Sequence, residues 1–490
     1  MFDPVHTYSR TTPARLAIGN VETGERLSWL ELNRKVDRLA AWLVMRLGPQ
    51  SGERVAVIAR NHPHHLVLQF ACARAGAIFV PLNWRLAPPE LAQIVSDAAP
   101  ALIFADAEFS VVPGLAETMP FEALADLGDA GSAAPDRAGL GWDAPMTLLY
   151  TSGTTGRPKG VIVTAANAFW GNLNFCLGSQ VDRNSSFLCD MPLFHTAGLF
   201  VGARAPLWAG GSVWISQGFD PARTIARIAD PVLGITHYFS VPQMAASLWQ
   251  HPDFVAEKFR GLTLYATGGA PNPAVQVERF VRAGIPLSDG FGMSETGSNF
   301  GMPVDDPELL VAKAGSCGLP FATLEARIVG ADWAPVARGE TGELQLKGPS
   351  VTPGYWKQHA LTAAAFVDGW FRTGDAARQD DDGFYYLVDR MKDMFISGGE
   401  NVYPAEVEAV IAELPTVAEV AVIGVGDERW GEVGRAHVVP VAGVEVTSDD
   451  IIAHCRTRLA GFKVPKTVVV MAAIPRTGSG KAQKHLLRQS

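Results

Sequence analysis

The sequence predicts an α/β protein. Its large N-terminal domain would hold two helix-covered sheets plus a small β-barrel-like subdomain, and a small α+β C-terminal domain would follow. Three observations carry this. Strand and helix patterns alternate from residue 55 to residue 283, as they do where helices cover a parallel sheet. Between 323 and 347 the pattern changes to short period-2 stretches, such as Thr323-Leu324-Glu325-Ala326-Arg327-Ile328-Val329, with a turn at 339–342. After Arg390 comes a unit of about 100 residues, enough to hold its own core.

In order, Ser28-Trp29-Leu30-Glu31 has capping-box form, and Leu32, Val36, Leu39 and Leu43 then recur at helical spacing. Residues 55–58 read as a buried strand, 65–75 as a helix, 77–82 as a strand, 89–96 as a helix and 101–105 as a strand. Residues 128–143, rich in Gly, Ala, Pro and Asp, read as a surface loop. The alternation resumes with strand 161–163 and helix 165–177. It continues through strands at 211–216, 235–239 and 262–266 and helices at 222–228, 242–249 and 273–283. This second run matches the first in size without repeating its sequence. Residues 379–383 form a polar turn. The last unit reads helix 404–414, strands 418–425 and 435–441, helix 448–459, strand 467–474 and helix 481–488. The expected domains are 1–389, with its β-rich part at about 320–385, and 390–490.

A chain of 490 residues has ample material for a large core, and 48% hydrophobic with 19% charged residues is ordinary for a globular protein. A net charge of −9 gives no basic footprint, which argues against nucleic acid as a partner. Cys72, Cys176, Cys189, Cys317 and Cys455 are scattered without metal or redox spacing and read as reduced core thiols of a cytoplasmic protein. The N-terminus lacks a signal-peptide pattern, and no apolar run approaches the ~18 residues of a membrane span.

The stretch that organises the chain is Thr151-Ser152-Gly153-Thr154-Thr155-Gly156-Arg157-Pro158-Lys159-Gly160, led in by Leu148 and Leu149. It packs four hydroxyls, three glycines and two cations into ten positions. Glycine lets backbone N–H groups approach a ligand, and hydroxyls and cations add donors and charge, so the stretch suits a nucleotide triphosphate. Its spacing is not that of the P-loop, because two residues separate Gly153 from Gly156 and Gly160 follows Lys159. A solvated Gly-rich connector has the same composition, and the loop alone does not separate the two readings.

The loop resembles the signature of the adenylate-forming superfamily, which includes acyl-CoA synthetases, adenylation domains and luciferases. Further stretches match that family in order, so the resemblance covers nearly the whole chain. It implies that Thr151, Ser152, Gly153, Thr154, Thr155, Gly156 and Lys159 hold the ATP phosphates. Pro192-Leu193-Phe194-His195-Thr196-Ala197-Gly198 would line the acyl pocket, with His195 gating entry and Thr196, Ala197, Val201, Tyr238, Gly268 and Gly269 completing it. Gly269, Ala270 and Pro271 would lie against adenine. In Asp289-Gly290-Phe291-Gly292-Met293-Ser294-Glu295, Phe291 offers a stacking face, Ser294 a phosphate donor and Glu295 a ligand for Mg2+. Most relatives carry Tyr at 291 and Thr at 294. Asp375 would accept the ribose hydroxyls, beside Arg390. Lys392 falls at the family's hinge, Ser397, Gly398 and Gly399 would line the pantetheine tunnel, and Lys481 matches the catalytic lysine.

The resemblance implies two half-reactions: an acid and ATP give an acyl-adenylate and pyrophosphate, then a thiol takes the acyl group. His195 stands where amino-acid adenylation domains usually carry Asp, which favours an acid without an amine. Trp430, Phe462 and Lys466 stand where acyl-CoA ligases contact CoA. Val464 replaces an Arg found in some aryl ligases, which leaves the CoA phosphates to Lys466 and Arg85. The chain most resembles bacterial feruloyl-CoA synthetases and medium- or long-chain fatty acyl-CoA synthetases. Ala197 is small where plant hydroxycinnamate ligases place Tyr, which leaves room for a ring or a longer chain. The expected reagents are a carboxylic acid, ATP, Mg2+ and CoA, and a homodimer is left open. The alternatives are an enzyme that loads a carrier-protein phosphopantetheine and a non-catalytic nucleotide-binding module.

Overall fold

A computed structural model describes residues 2–109, 118–128, 141–151, 158–270, 272–391, 393–397, 400–476 and 482–488. Most of the loop expected at 128–143 lies outside them.

The capping box forms as read. Ser28 Oγ accepts from the Glu31 amide, the Glu31 carboxylate accepts from the Ser28 amide, and helix Trp29–Leu47 buries Leu32, Val36, Leu39 and Leu43. The first alternating run builds a six-stranded sheet. Arg54–Ile58 pairs in parallel with Ile78–Pro81 on one side and Leu102–Ala105 on the other, and Pro145–Thr151 then pairs antiparallel with Lys159–Thr164 at the edge. The second run builds a nine-stranded sheet in which Ser186–Cys189, Ser212–Ile215, His237–Ser240, Leu264–Thr267 and Leu287–Met293 run parallel. Strand Leu16–Asn20, from the very start of the chain, also joins this sheet.

Burial explains the layering. Val55 and Val57 face a core shared with helices Trp29–Leu47, His64–Ala75 and Ala165–Gly178 and with the inner face of the nine-stranded sheet. Their neighbours Ala56 and Ile58 face a second core under helix Pro88–Ala98. Tyr238, Tyr265 and Leu287 face a third, under helices Pro221–Ile228, Pro242–Gln250 and Ala274–Arg282. Helices therefore fill the space between the two sheets and cover both outer faces, and side chains alternate between cores as a strand requires.

The β-rich part is a five-stranded sheet of Glu325–Val329, Gly342–Lys347, Trp370–Gln379, Phe366–Val367 and Tyr385–Arg390. Its last strand runs five residues past the expected limit of 385. The final unit is a separate five-stranded sheet with its own core of Phe395, Val402, Val407, Ile411, Val422, Ala436, Val438 and Ile451. The helix expected at 481–488 is shorter, at Lys484–Leu487.

Candidate active site

Strands Pro145–Thr151 and Lys159–Thr164 are register partners down to Thr151 opposite Lys159, so they hold both ends of the Gly/Ser/Thr stretch at one sheet edge. Ser152, Gly153, Thr154, Thr155 and Gly156, expected at the phosphates, lie outside the described residues. The Thr151 hydroxyl is buried and has no hydrogen-bond partner among the described residues, which leaves it for a ligand.

Lys159 does not point into solvent. Its Nζ donates to Glu295 Oε1 at 2.8 Å and to the Tyr355 hydroxyl at 3.0 Å, and that hydroxyl donates to the same Glu295 oxygen at 3.1 Å. Lys159 Nζ also sits over the Tyr355 ring at 4.3 Å. Glu295 has no basic partner in its own stretch; strand Lys159–Thr164 supplies one from 136 residues away. The Glu295 side chain is only 6% exposed, so this pair is little screened by water. Tyr355 is a site residue that sequence reasoning missed. It reaches the node because Val161 and Tyr355 form an antiparallel bridge and the Ile162 amide donates to Gly354 O. No local spacing signals such a contact.

The node opens on a narrow, solvent-connected cleft. Thr196, Phe200 and Val201 reach it from one side, Ser294, Glu295, Gly297 and Ser298 from another, and Asn167, Ala168, Gly171, Asn172 and Phe175 from helix Ala165–Gly178. Thr196 Oγ1 donates to Ser294 Oγ at 3.0 Å, which ties the expected acyl-pocket strip to the expected phosphate-contacting strip. Ala197 opens a π-helical turn, Ala197–Arg204, a geometry that widens the helix and recurs at functional sites.

The glycines of strips 268–270 and 289–293 serve close packing. A Cβ on Gly268 would stand 3.0 Å from Gly290 O and 3.4 Å from the Phe239 ring, and one on Gly292 would stand 2.5 Å from Gly297 O. Gly269 has φ +83, where an L side chain is strained. Asp289, expected at the nucleotide, is buried and accepts from Thr267 Oγ1 at 3.0 Å, and burial raises its carboxyl to about 7. Phe291 is buried against Phe300, with ring centroids 5.9 Å apart, which leaves little of its ring open for stacking.

Tyr238 requires correction. Expected in the acyl pocket, it is 1% exposed and lies in the core on the far side of its strand, its hydroxyl donating to Asp190 Oδ2 at 3.2 Å. Its neighbour Phe239 faces Gly268 instead. Both faces of this strand are buried, so hydrophobicity does not set its phase.

Asp375 and Arg390, the expected ribose contacts, are cross-strand partners on strands Trp370–Gln379 and Tyr385–Arg390 of the β-rich sheet. Ser397 pairs with Gly431, next to Trp430, and Lys466 Nζ lies 5.8 Å from the Trp430 ring centre. Three of the expected CoA contacts therefore gather at one end of the last sheet. Phe462 packs partly into that sheet's core. Pro271, Lys392, Gly398, Gly399 and Lys481 lie outside the described residues.

The model of the AMP-binding enzyme family matches residues 5–356, and that of the AMP-binding enzyme C-terminal domain matches residues 406–481. The chain belongs to the AMP-binding enzyme family. Within it, the chain is similar to a feruloyl-CoA synthase of Amycolatopsis sp, 40% identical over 95% of this chain and 94% of the relative. Among solved structures it is similar to o-succinylbenzoate CoA synthetase (MenE) from Bacillus subtilis in complex with the acyl-adenylate intermediate OSB-AMP. The TM-score is 0.90 at 29% identity, over 100% of this chain and 98% of that one. ATP-bound MatB from Rhodopseudomonas palustris matches with a TM-score of 0.88 at 31% identity, over 99% and 98%. These likenesses place this AMP-binding enzyme in the acyl-CoA synthetase branch.

Proposed function

We propose that this AMP-binding enzyme is an ATP-dependent carboxylic acid–CoA ligase that works through an acyl-adenylate. In the first half-reaction a carboxylate oxygen of the acid attacks the α-phosphorus of ATP. The bond from that phosphorus to the bridging oxygen breaks, and pyrophosphate leaves with the electron pair. In the second, the thiol sulfur of CoA attacks the acyl carbonyl, its proton passes to solvent, and AMP leaves.

The observation that carries this reading is the Lys159–Glu295–Tyr355 node, which sits at the edge of the Gly/Ser/Thr stretch while Glu295 lines the cleft. In the resting enzyme the lysine and the glutamate neutralise each other. A bound triphosphate gives Lys159 another anion, and Glu295 then turns to cation binding. Thr151, whose hydroxyl has no partner among the described residues, and Ser294 add donors to phosphate oxygens. Asp375 accepts from the ribose, beside Arg390.

Mg2+ fits this site through Glu295. Among the described residues no three His, Cys, Asp or Glu side chains gather to cage a metal. One buried carboxylate joined by substrate phosphates is the usual Mg2+ arrangement, and Glu295 Oε2 lies outside the hydrogen bonds made by Lys159 and Tyr355. When bound, Mg2+ supplies positive charge to the phosphate oxygens and the leaving pyrophosphate.

The acid occupies the cleft beside Ser294 and Glu295, between the apolar walls of Phe175, Phe200 and Val201. Those walls suit an aryl acid, hydroxycinnamate-like, or a medium- or long-chain fatty acid. The gathering of Ser397, Trp430 and Lys466 supports free CoA over a carrier-protein thiol. The chain divides functionally into 1–389 and 390–490, and the second part turns between half-reactions to present first Lys481 and then the Ser397–Gly399 face. A hinge at 390–392 sits where strand Tyr385–Arg390 ends, a position able to absorb backbone change. We place the reaction in the cytoplasm, where the five buried free thiols stay reduced.

The test is an acid panel with ATP, Mg2+ and CoA, read by pyrophosphate release and by the mass of the thioester. Acid-dependent release with acyl-CoA as product is expected. Release that yields thioester only with a holo carrier protein would move the enzyme to the carrier-loading class, and ATP binding without turnover would make it a binding module.

A further inference from the structure

Helix Ala165–Gly178 presents Ala168, Gly171, Asn172 and Phe175 to the cleft, at spacings of three, four and seven residues that put them on one helical face. A Cβ added to Gly171 would make ordinary contact with the Gly297 Cα, at 3.9 Å, so a single methyl fits on this face and a larger side chain would press on what lies opposite.

Two side-chain amides stand on this wall, and they are built differently. Asn167 is fully engaged: its Oδ1 accepts from the Thr164 amide and hydroxyl, and its Nδ2 donates to Pro349 O and Val351 O. Asn172 is 2% exposed, yet its Nδ2 has no hydrogen-bond partner among the described residues. A buried amide N–H without a partner is destabilising, and leucine, of nearly the same size, would carry no such penalty. Its neighbours on the wall are Phe175, Phe200 and Val201. Among the described residues lining the cleft Glu295 alone is charged, so none of them would hold a second carboxylate.

We propose that Asn172 is a specificity-determining residue that reads the far end of the acid. This rests on the ligase reading above. With the substrate carboxylate at the Ser294–Glu295 end, Asn172 Nδ2 donates to a neutral oxygen at the other end, a ring hydroxyl or ether. The substrate class this selects is an aryl acid with a distal oxygen substituent. A plain hydrocarbon chain would leave the amide unpartnered, and a dicarboxylic acid would bring a charge that none of the described wall residues neutralises.

The experiment compares cinnamate, 4-hydroxycinnamate and octanoate by pyrophosphate release in the wild type, Asn172→Leu and Gly171→Val, with a melting curve for each. In the wild type, 4-hydroxycinnamate should exceed cinnamate in kcat/KM by about tenfold, the scale of one net hydrogen bond. Asn172→Leu should erase that preference while leaving the KM for ATP unchanged and Tm equal or higher, an outcome that loss of structure would not give. Gly171→Val, which puts a side chain into the same space, should depress both aryl acids more than octanoate. The inference is overturned, with the ligase intact, if the wild type treats the two aryl acids alike or prefers octanoate. It is also overturned if Asn172→Leu lowers both aryl acids equally, or if Gly171→Val leaves them unchanged. If the wild type releases no pyrophosphate with any acid, the ligase reading itself fails and this inference falls with it.

Discussion

The half of the site assigned to ATP and the half assigned to CoA are built in opposite ways. Lys159, Glu295 and Tyr355 meet where the edge of one sheet touches a loop from another part of the chain, and Glu295 is 5% exposed. Lys466 is exposed and Trp430 half-buried, on a sheet with a small core of its own. Buried, mutually oriented charges act strongly on charge that develops during reaction. Exposed charges steer and hold a ligand but are screened. Substitutions in the first half should therefore act on the rate of adenylation, and those in the second on the KM for CoA.

The largest effect expected is that of Lys481→Ala. It should lower acyl-adenylate formation by about 10²–10³, the scale of losing one preorganised transition-state donor. Thioester formation from supplied acyl-adenylate and CoA should survive, because that step is assigned to the Ser397–Gly399 face. Equal loss of both half-reactions in a folded variant would remove the two-orientation scheme. Glu295→Gln comes next. Pyrophosphate release should fall about 10²-fold at saturating Mg2+ while the Kd for ATP changes far less, since the glutamate acts on the reacting phosphates rather than on the nucleoside. Wild-type release would mean that Glu295 serves only to pair Lys159. Lys466→Ala should be milder, raising the KM for CoA by tenfold at most and leaving adenylation untouched, as expected when a solvent-exposed charge is removed. A larger effect on adenylation than on the CoA KM would undo the contrast between the two halves.

What the sequence revealed follows the same division by range. The capping box at Ser28, the parallel strands and the helices between them are written in local patterns of three to eight residues, and the structure repeats them to within a few positions. The order of motifs identified the family. Contacts that close at long range were not legible. Nothing in Pro353-Gly354-Tyr355 announces that Tyr355 will meet Glu295, 60 residues away. The face of Tyr238 is not legible either, because His237-Tyr238-Phe239-Ser240 is buried on both sides and carries no phase. Asn172 was invisible as a site residue because only the finished cleft shows that its amide lacks a partner.

The smallest effect expected concerns Asp289, a carboxylate whose burial no cation among the described residues offsets. Burial raises it to about 7, and the hydroxyl of Thr267 only partly opposes that shift. The unfolded chain releases this proton near pH 4, the ordinary aspartate range. Between about pH 4 and pH 7 the native state thus holds a proton that the unfolded state has lost. Stability contributed by this group is complete below that window and falls as pH rises through it. Asp289→Asn keeps an oxygen to accept from Thr267 and cannot titrate. The wild type should therefore lose more Tm between pH 5 and pH 8 than Asp289→Asn does. Some fall should persist in the variant, because buried Asp190 is also raised, to about 6. If wild type and variant show the same change in Tm, Asp289 is already ionised at pH 5 and is held by the nucleotide-side environment rather than by the strand ends. In that case the site's buried half would tolerate a lone charge, and the contrast drawn between the two halves would need a different cause.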